Sequence, residues 1–169
     1  MRGCAPSAIE YGGQSHRYVR CTVDAHGTEL TLVTMHFASP RMGLLATRRE
    51  GVAGADEWQR NFAERLAQSH ELARQLAPLP RPLVVAGDLN APESSPVIQR
   101  LLAAGLRDSF SASGRGYGFS YGQSMRAGLS FLRIDHILAS PEVGFAASFV
   151  GEGRNSDHRP VIADLVLRR

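Results

Sequence analysis

Short apolar runs that break off into acids, amides and imidazoles are the feature that most constrains this chain. Leu83-Val84-Val85-Ala86 leads into Gly87-Asp88-Leu89-Asn90, Arg133-Ile134-Asp135-His136 opens a run ending at Ala139, and Ser156-Asp157-His158-Arg159-Pro160 precedes Val161 to Val166. Runs of this length and composition predict strands, the first buried on both faces. Each polar group then sits at a strand boundary, and strands sharing a sheet would deliver these groups to one edge.

The remaining segments predict an α/β or α+β domain. Arg17 to Val23 and Glu29 to Phe37 are β-rich and separated by Asp24-Ala25-His26-Gly27, which reads as a hairpin whose second strand emerges at His36. Ala38 to Met42 reads as loop, and Leu44 to Ala53 is open between a short helix and an ordered loop. From Ala55 or Asp56, residues Trp58, Phe62, Leu66, Leu72 and Leu76 recur at helical spacing, and Pro78 stops the run. Core packing is the expectation for Trp58 and Phe62. Ser94 or Ser95, with Pro96 at the first helical position, starts a second helix that ends at Gly105. Residues 111 to 130 are rich in Gly and Ser and carry Tyr117, Phe119, Tyr121 and Arg126, as a surface loop would.

A chain of 169 residues with 43% hydrophobic and 21% charged residues is expected to form one soluble domain. No run approaches a membrane span, and the N-terminus lacks the apolar stretch of a secretory signal, so a cytoplasmic protein is expected. Cys4 and Cys21 are too few for a disulfide framework and fit no common zinc spacing, so they read as spectator thiols. A net charge of +3 and a pI of 9.3 permit a polyanionic substrate without identifying one.

The chemistry of the strand ends is more specific. Gly87 lets the backbone turn closely beside a ligand, while Asp88 and Asn90 project together. A carboxylate there can bind a hard cation or take a proton from water, and a neutral amide can donate to a phosphate oxygen. Asp135 lies among apolar neighbours and needs a partner, for which His158 is the candidate; Arg133 or a backbone amide is the alternative. Alternation puts His136 on the face opposite Asp135, where solvent exposure is expected.

In order and spacing, Thr34-Met35-His36, Gly87-Asp88-Leu89-Asn90, Arg133-Ile134-Asp135-His136 and Ser156-Asp157-His158-Arg159-Pro160 resemble the endonuclease/exonuclease/phosphatase superfamily, the metal-dependent phosphodiesterases that include DNase I, exonuclease III and neutral sphingomyelinases. The resemblance runs from about Arg17 to the end and implies a DNase I-like layered β-sandwich flanked by helices. It also implies that His36 donates to the scissile phosphate, that Asp88 and Asn90 position or activate water, and that Asp135 orients His158 toward the transition state. Asp88 and Asp157 would help hold Mg²⁺ or Mn²⁺.

The family's early Asn and its metal-binding Glu have no clear counterpart, so the domain is expected to be N-terminally shortened, with Glu10 as the candidate substitute ligand. A shortened sandwich would expose an apolar sheet face, for which a homodimer is the expected cover. DNA is the leading substrate, with Arg41, Tyr121 and Arg126 as contacts. A phospholipid or small phosphoester is the alternative, and a non-catalytic nucleic-acid-binding domain is the reading from another class.

Overall fold

The structure is a computed structural model that describes residues 1–122, 129–153 and 155–167. The chain order is β1 (Arg2–Tyr11), β2 (Gln14–Ala25), β3 (Thr28–Met35), α1 (Arg41–Glu50), a 3₁₀ turn (Gly51–Gly54), α2 (Ala55–Leu76), β4 (Leu83–Asp88), α3 (Pro96–Ala103), β5 (Arg107–Asp108), α4 (Ser109–Ser113), β6 (Asp135–Ala139), β7 (Val143–Val150) and β8 (Val161–Leu167). The ambiguous stretch from Leu44 to Ala53 is thus most of α1 and the turn that follows it, and α1 begins earlier than expected, taking in Arg41 and Met42, which read as loop. α3 starts as its residues predict, with the Ser95 hydroxyl accepting from the Val97 N–H and Pro96 in the first turn.

A six-stranded sheet in the order β1-β2-β3-β4-β6-β5 forms the centre, and β7-β8 form a second, two-stranded sheet. β3 and β4 run parallel, whereas β6 runs antiparallel to β4. The C-terminal ends of β3 and β4 and the N-terminal end of β6 therefore meet at one edge. Strand alternation then assigns the two faces. Val33, Met35, Val85 and Leu138 join Leu72, Leu76, Val97, Ile98 and Leu101 in the core beneath the helices. On the other face, Leu30, Leu32, Val84, Ile137 and Ala139 pack with Val143, Phe145 and Leu167 of the second sheet. The layers are helices, large sheet and small sheet.

The small sheet covers the large one incompletely. Val19 of β2 is 39% exposed, and Leu165, on the β8 parity that points Leu167 inward, is 36% exposed. These residues mark an open apolar margin in the sandwich.

Two expectations require correction. Cys4 and Cys21 are joined in a disulfide that ties β1 to β2. The irregularity between Arg2 and Ala5 in the β1–β2 register brings them opposite each other, with Cα atoms 4.0 Å apart, which separation in sequence did not disclose. Trp58 is 38% exposed rather than in the core, because its backbone and ring lie against Gly43 of α1 at the surface. No helix among the described residues is long and apolar enough to cross a membrane.

Candidate active site

Gly87 makes the site possible by having no side chain. A Cβ there would lie 1.9 Å from the Met35 carbonyl oxygen, so only glycine lets β4 pass β3 this closely. The next residue, Asp88, thereby comes beside His36, whose Nε2 is 3.5 Å from Asp88 Oδ2. Across the sheet Asp88 pairs with Asp135 in the β4–β6 register. Both carboxylates share the parity of Val84 and Ile137 and so open toward the small sheet.

His158 reaches the same point from the segment before β8. Its Nδ1 lies 2.9 Å from Asp135 Oδ2, leaving Nε2 on the side of Asp88, 3.9 Å from Oδ2. The Ser156 hydroxyl accepts from the His158 N–H at 3.1 Å, and Arg159 N–H donates to Ser120 O at 2.7 Å, so the backbone is held on both sides of the imidazole. Tyr121 packs its ring 4.6 Å from that of His158 and is bridged to it in the backbone. Asp88, Asp135 and His158 offer ligand atoms within 4.8 Å of one another. They line a cleft of about 530 Å³ with Ser156, Arg159 and Pro160.

The charges are matched to this arrangement. Burial is the main cause that raises the Asp88 carboxyl, with the neighbouring Asp135 adding to it, against the Asn90 N–H and the two imidazoles. Burial works against a charged His158, but its hydrogen bond to Asp135 and the fields of Asp135, Asp88 and Asp157 hold its pKa above the ordinary imidazole value. The pair therefore favours an imidazolium facing a carboxylate-lined cleft.

Asn90 is buried in a left-handed conformation with φ 51°, one that Asn tolerates. Its side-chain amide donates to Phe37 O at 2.9 Å and its N–H to Asp88 Oδ1 at 2.9 Å, so it ties the ends of β3 and β4 together. Arg65 and Gln68 of α2 reinforce that edge: the buried Arg65 guanidinium donates to Asn90 O, and Gln68 Oε1 accepts from the Ala38 N–H at 3.0 Å. Asn61 donates to Ser39 O at 2.9 Å. No local motif marks these three residues. Their signal is polarity on the helical stripe that continues into Leu72 and Leu76, where apolar residues are the rule.

The other sequence candidates are placed less centrally. His36 is exposed at the cleft edge, and Arg41 is exposed at the start of α1. Asp157 is exposed next to His158 and acts on its charge without joining the three-residue ligand group. Glu10 is exposed on β1, accepts a hydrogen bond from the Ser15 hydroxyl, and is not in that group either. Arg126 lies outside the described residues.

The expectation for His136 is overturned. It faces away from Asp135 as alternation requires, but that face is the helix-covered core, and its side chain is fully buried between Asp108 and Ala91.

The sequence pattern of the endonuclease/exonuclease/phosphatase family matches residues 5–158. No curated protein matches the chain in sequence. An endonuclease/exonuclease/phosphatase structure from Beutenbergia cavernae is 20% identical with a TM-score of 0.71, over 99% of this chain and 45% of that one. One from Bacteroides vulgatus is 18% identical with a TM-score of 0.73, over 98% and 65%. The mannosyl-6-phosphatase of Bacteroides thetaiotaomicron is 18% identical with a TM-score of 0.65, over 90% and 58%. This chain thus spans 45% to 65% of the length of these structures, with the same fold. With its strand-end site and the family pattern over nearly all of its length, the chain belongs to the endonuclease/exonuclease/phosphatase family, a family of hydrolytic phosphoesterases.

Proposed function

We propose that this chain is a divalent-metal-dependent phosphodiesterase that cleaves DNA. The observation that carries the reading is the convergence of Asp88, Asp135 and His158 within 4.8 Å, with His36 beside Asp88. Two carboxylates supply hard oxygen donors suited to Mg²⁺ or Mn²⁺, which keep much of their coordination sphere for water and phosphate oxygen. Asp88 would hold the ion, with the exposed Asp157, whose field reaches His158, as a further carboxylate. When bound, such an ion neutralises charge developing on the phosphate.

The chain's own residues account for the rest. Asp135 fixes the His158 tautomer and orientation, so that Nε2–H can donate to a phosphoryl oxygen. His36, at the cleft edge, supplies a second donor. Asp88, raised by burial, is suited to take a proton from attacking water, and Asn90 keeps it in place. Tyr121 offers a ring beside His158 and Arg41 an exposed cation at the start of α1, features that fit a nucleic-acid strand. The apolar margin at Val19 and Leu165 supports a second copy of the chain as its cover.

Plasmid DNA incubated with the purified protein and Mg²⁺ or Mn²⁺, with and without EDTA, tests the activity. Metal-dependent nicking that is lost in Asp88→Ala and His158→Ala is expected; nicking unchanged in both variants would refute the site. Turnover of a generic phosphodiester without DNA cleavage would move the substrate to lipids or small phosphoesters. Light scattering at micromolar concentration is expected to report a dimer, and a stable monomer would exclude it.

A further inference from the structure

The tetrapeptide Arg133-Ile134-Asp135-His136 does more than deliver Asp135 to the cleft. On the opposite face of β6, His136 lies with its side chain fully buried. Its Nδ1 is 2.7 Å from Asp108 Oδ2 and its Nε2 is 2.9 Å from the Ala91 carbonyl oxygen. Both ring nitrogens thus face oxygen acceptors. Asp108 is itself fixed: its Oδ1 accepts from Arg133 Nη1 at 2.8 Å and from the Ser111 N–H at 3.0 Å. The other Arg133 nitrogen donates to Glu93, two residues beyond Ala91.

Ala91 directly follows Asn90, the residue that ties Asp88 to Phe37. The Leu89 N–H also donates to Ile134 O at 2.9 Å. The loop carrying Asp88 and Asn90 is therefore gripped from both sides, by Arg65 on Asn90 O and by His136 on Ala91 O. A buried imidazole needs partners for its nitrogens in any case, and here one of the two partners is a backbone carbonyl of the site loop.

We infer that His136, anchored by Asp108, is a positioning residue that clamps Ala91 and so sets the Asp88–Asn90 loop against Asp135 and His158. One strand then arranges both halves of the site, with Asp135 orienting the imidazole and His136 orienting the opposing carboxylate. The inference rests on the hydrolase reading for its kinetic consequence and on geometry alone for the loop. Partners that orient the groups touching a metal or substrate typically influence affinity or rate by about 10- to 100-fold.

The test compares wild type with His136→Gln, Asp108→Asn and, as a destabilised control in the other core cluster, Leu30→Ala at the start of β3. Thermal midpoint, amide hydrogen exchange at residues 88–91, and kcat and KM on bis(p-nitrophenyl) phosphate with Mn²⁺ are measured on each. In His136→Gln, faster exchange at Leu89 to Ala91 is expected, with kcat lower by about 10- to 100-fold and KM within about threefold. Asp108→Asn, which keeps the shape of the anchor, should fall between it and wild type. Leu30→Ala should lower the midpoint while exchange at 88–91 and kcat stay near wild type. If exchange at the loop in both His136→Gln and Asp108→Asn matches Leu30→Ala, the clamp is refuted. If wild type fails to turn over the diester, the proposed function fails, and the exchange data still decide the clamp.

Discussion

At the scale of single residues, the site depends on one absent side chain, at Gly87, and on the hydrogen bond between Asp135 and His158. Gly87→Ala would place a methyl group 1.9 Å from the Met35 carbonyl, a backbone atom that cannot swing aside. β4 would have to separate from β3 at the point where Asp88 meets His36. We expect this variant to lose several kcal/mol, in the range of overpacked cores, and to show a lowered denaturant midpoint together with loss of activity. Asp135→Asn is the complementary case. It preserves volume but removes the negative partner of His158, so the fold should persist, with a circular dichroism spectrum like wild type, while kcat falls by about 10²-fold or more. A kcat within threefold of wild type would remove Asp135 from the mechanism. Asp88, Asp135 and His158 were legible in sequence because each follows or opens an apolar run whose strand character is unambiguous, whereas a left-handed turn that buries Asn90 replaces the extended geometry expected there. His136 was legible only in its direction: alternation gave its face correctly, but whether that face meets water or helices depends on α3 and β5, which pack there from elsewhere in the chain.

At the scale of elements, α2 and β5 do what no motif announces. Asn61, Arg65 and Gln68 form a polar stripe on an otherwise packing helix face, and each binds a backbone atom of a site loop. Such contacts are invisible before the tertiary structure brings residues 38, 39 and 90 under the helix. The two-residue strand β5 is equally unreadable by periodicity, yet it carries Asp108 into the core. Burial alone would raise the Asp108 carboxyl, but the His136 hydrogen bond and charge, the Ser111 N–H and Arg133 together hold it below the usual carboxylate range. A carboxyl whose folded pKa lies below its unfolded value of about 3.9 contributes stability that is complete above that value. That contribution is lost as pH falls through the folded pKa. Urea denaturation of wild type and Asp108→Asn should therefore show a wide stability gap at pH 7 that narrows below about pH 4. A gap independent of pH would mean that the Asp108 charge does not contribute.

At the scale of the whole molecule, the layered order of helices, large sheet and small sheet follows from the strand alternation and the long amphipathic helix that the sequence displays. What it did not display is the pairing at the sheet margin. β1 contains Gly3 and Pro6, and β7 intersperses Gly, Ala and Ser among two Val and two Phe, so neither has the aliphatic run that marked β4 and β8. The disulfide belongs to that hidden margin. It joins Cys4 to Cys21 across 17 positions of sequence and holds β1, the outermost strand, against β2. By loop-closure entropy a link of this span contributes roughly 3 kcal/mol. For a chain of 169 residues, that corresponds to roughly 6–12 °C in thermal midpoint. Wild type should accordingly lose about that much on addition of dithiothreitol, and Cys4→Ala/Cys21→Ala should start at the lower midpoint and not respond to the reductant. Mass spectrometry of the oxidised protein should find the two half-cystines in one linked peptide pair. Because β1 packs on α2 through Ile9, whereas Asp88, Asp135 and His158 sit at the other strands, the reduced protein should keep its cleavage rate at temperatures well below its midpoint. A rate that fell with reduction at low temperature would instead couple the sheet margin to the site.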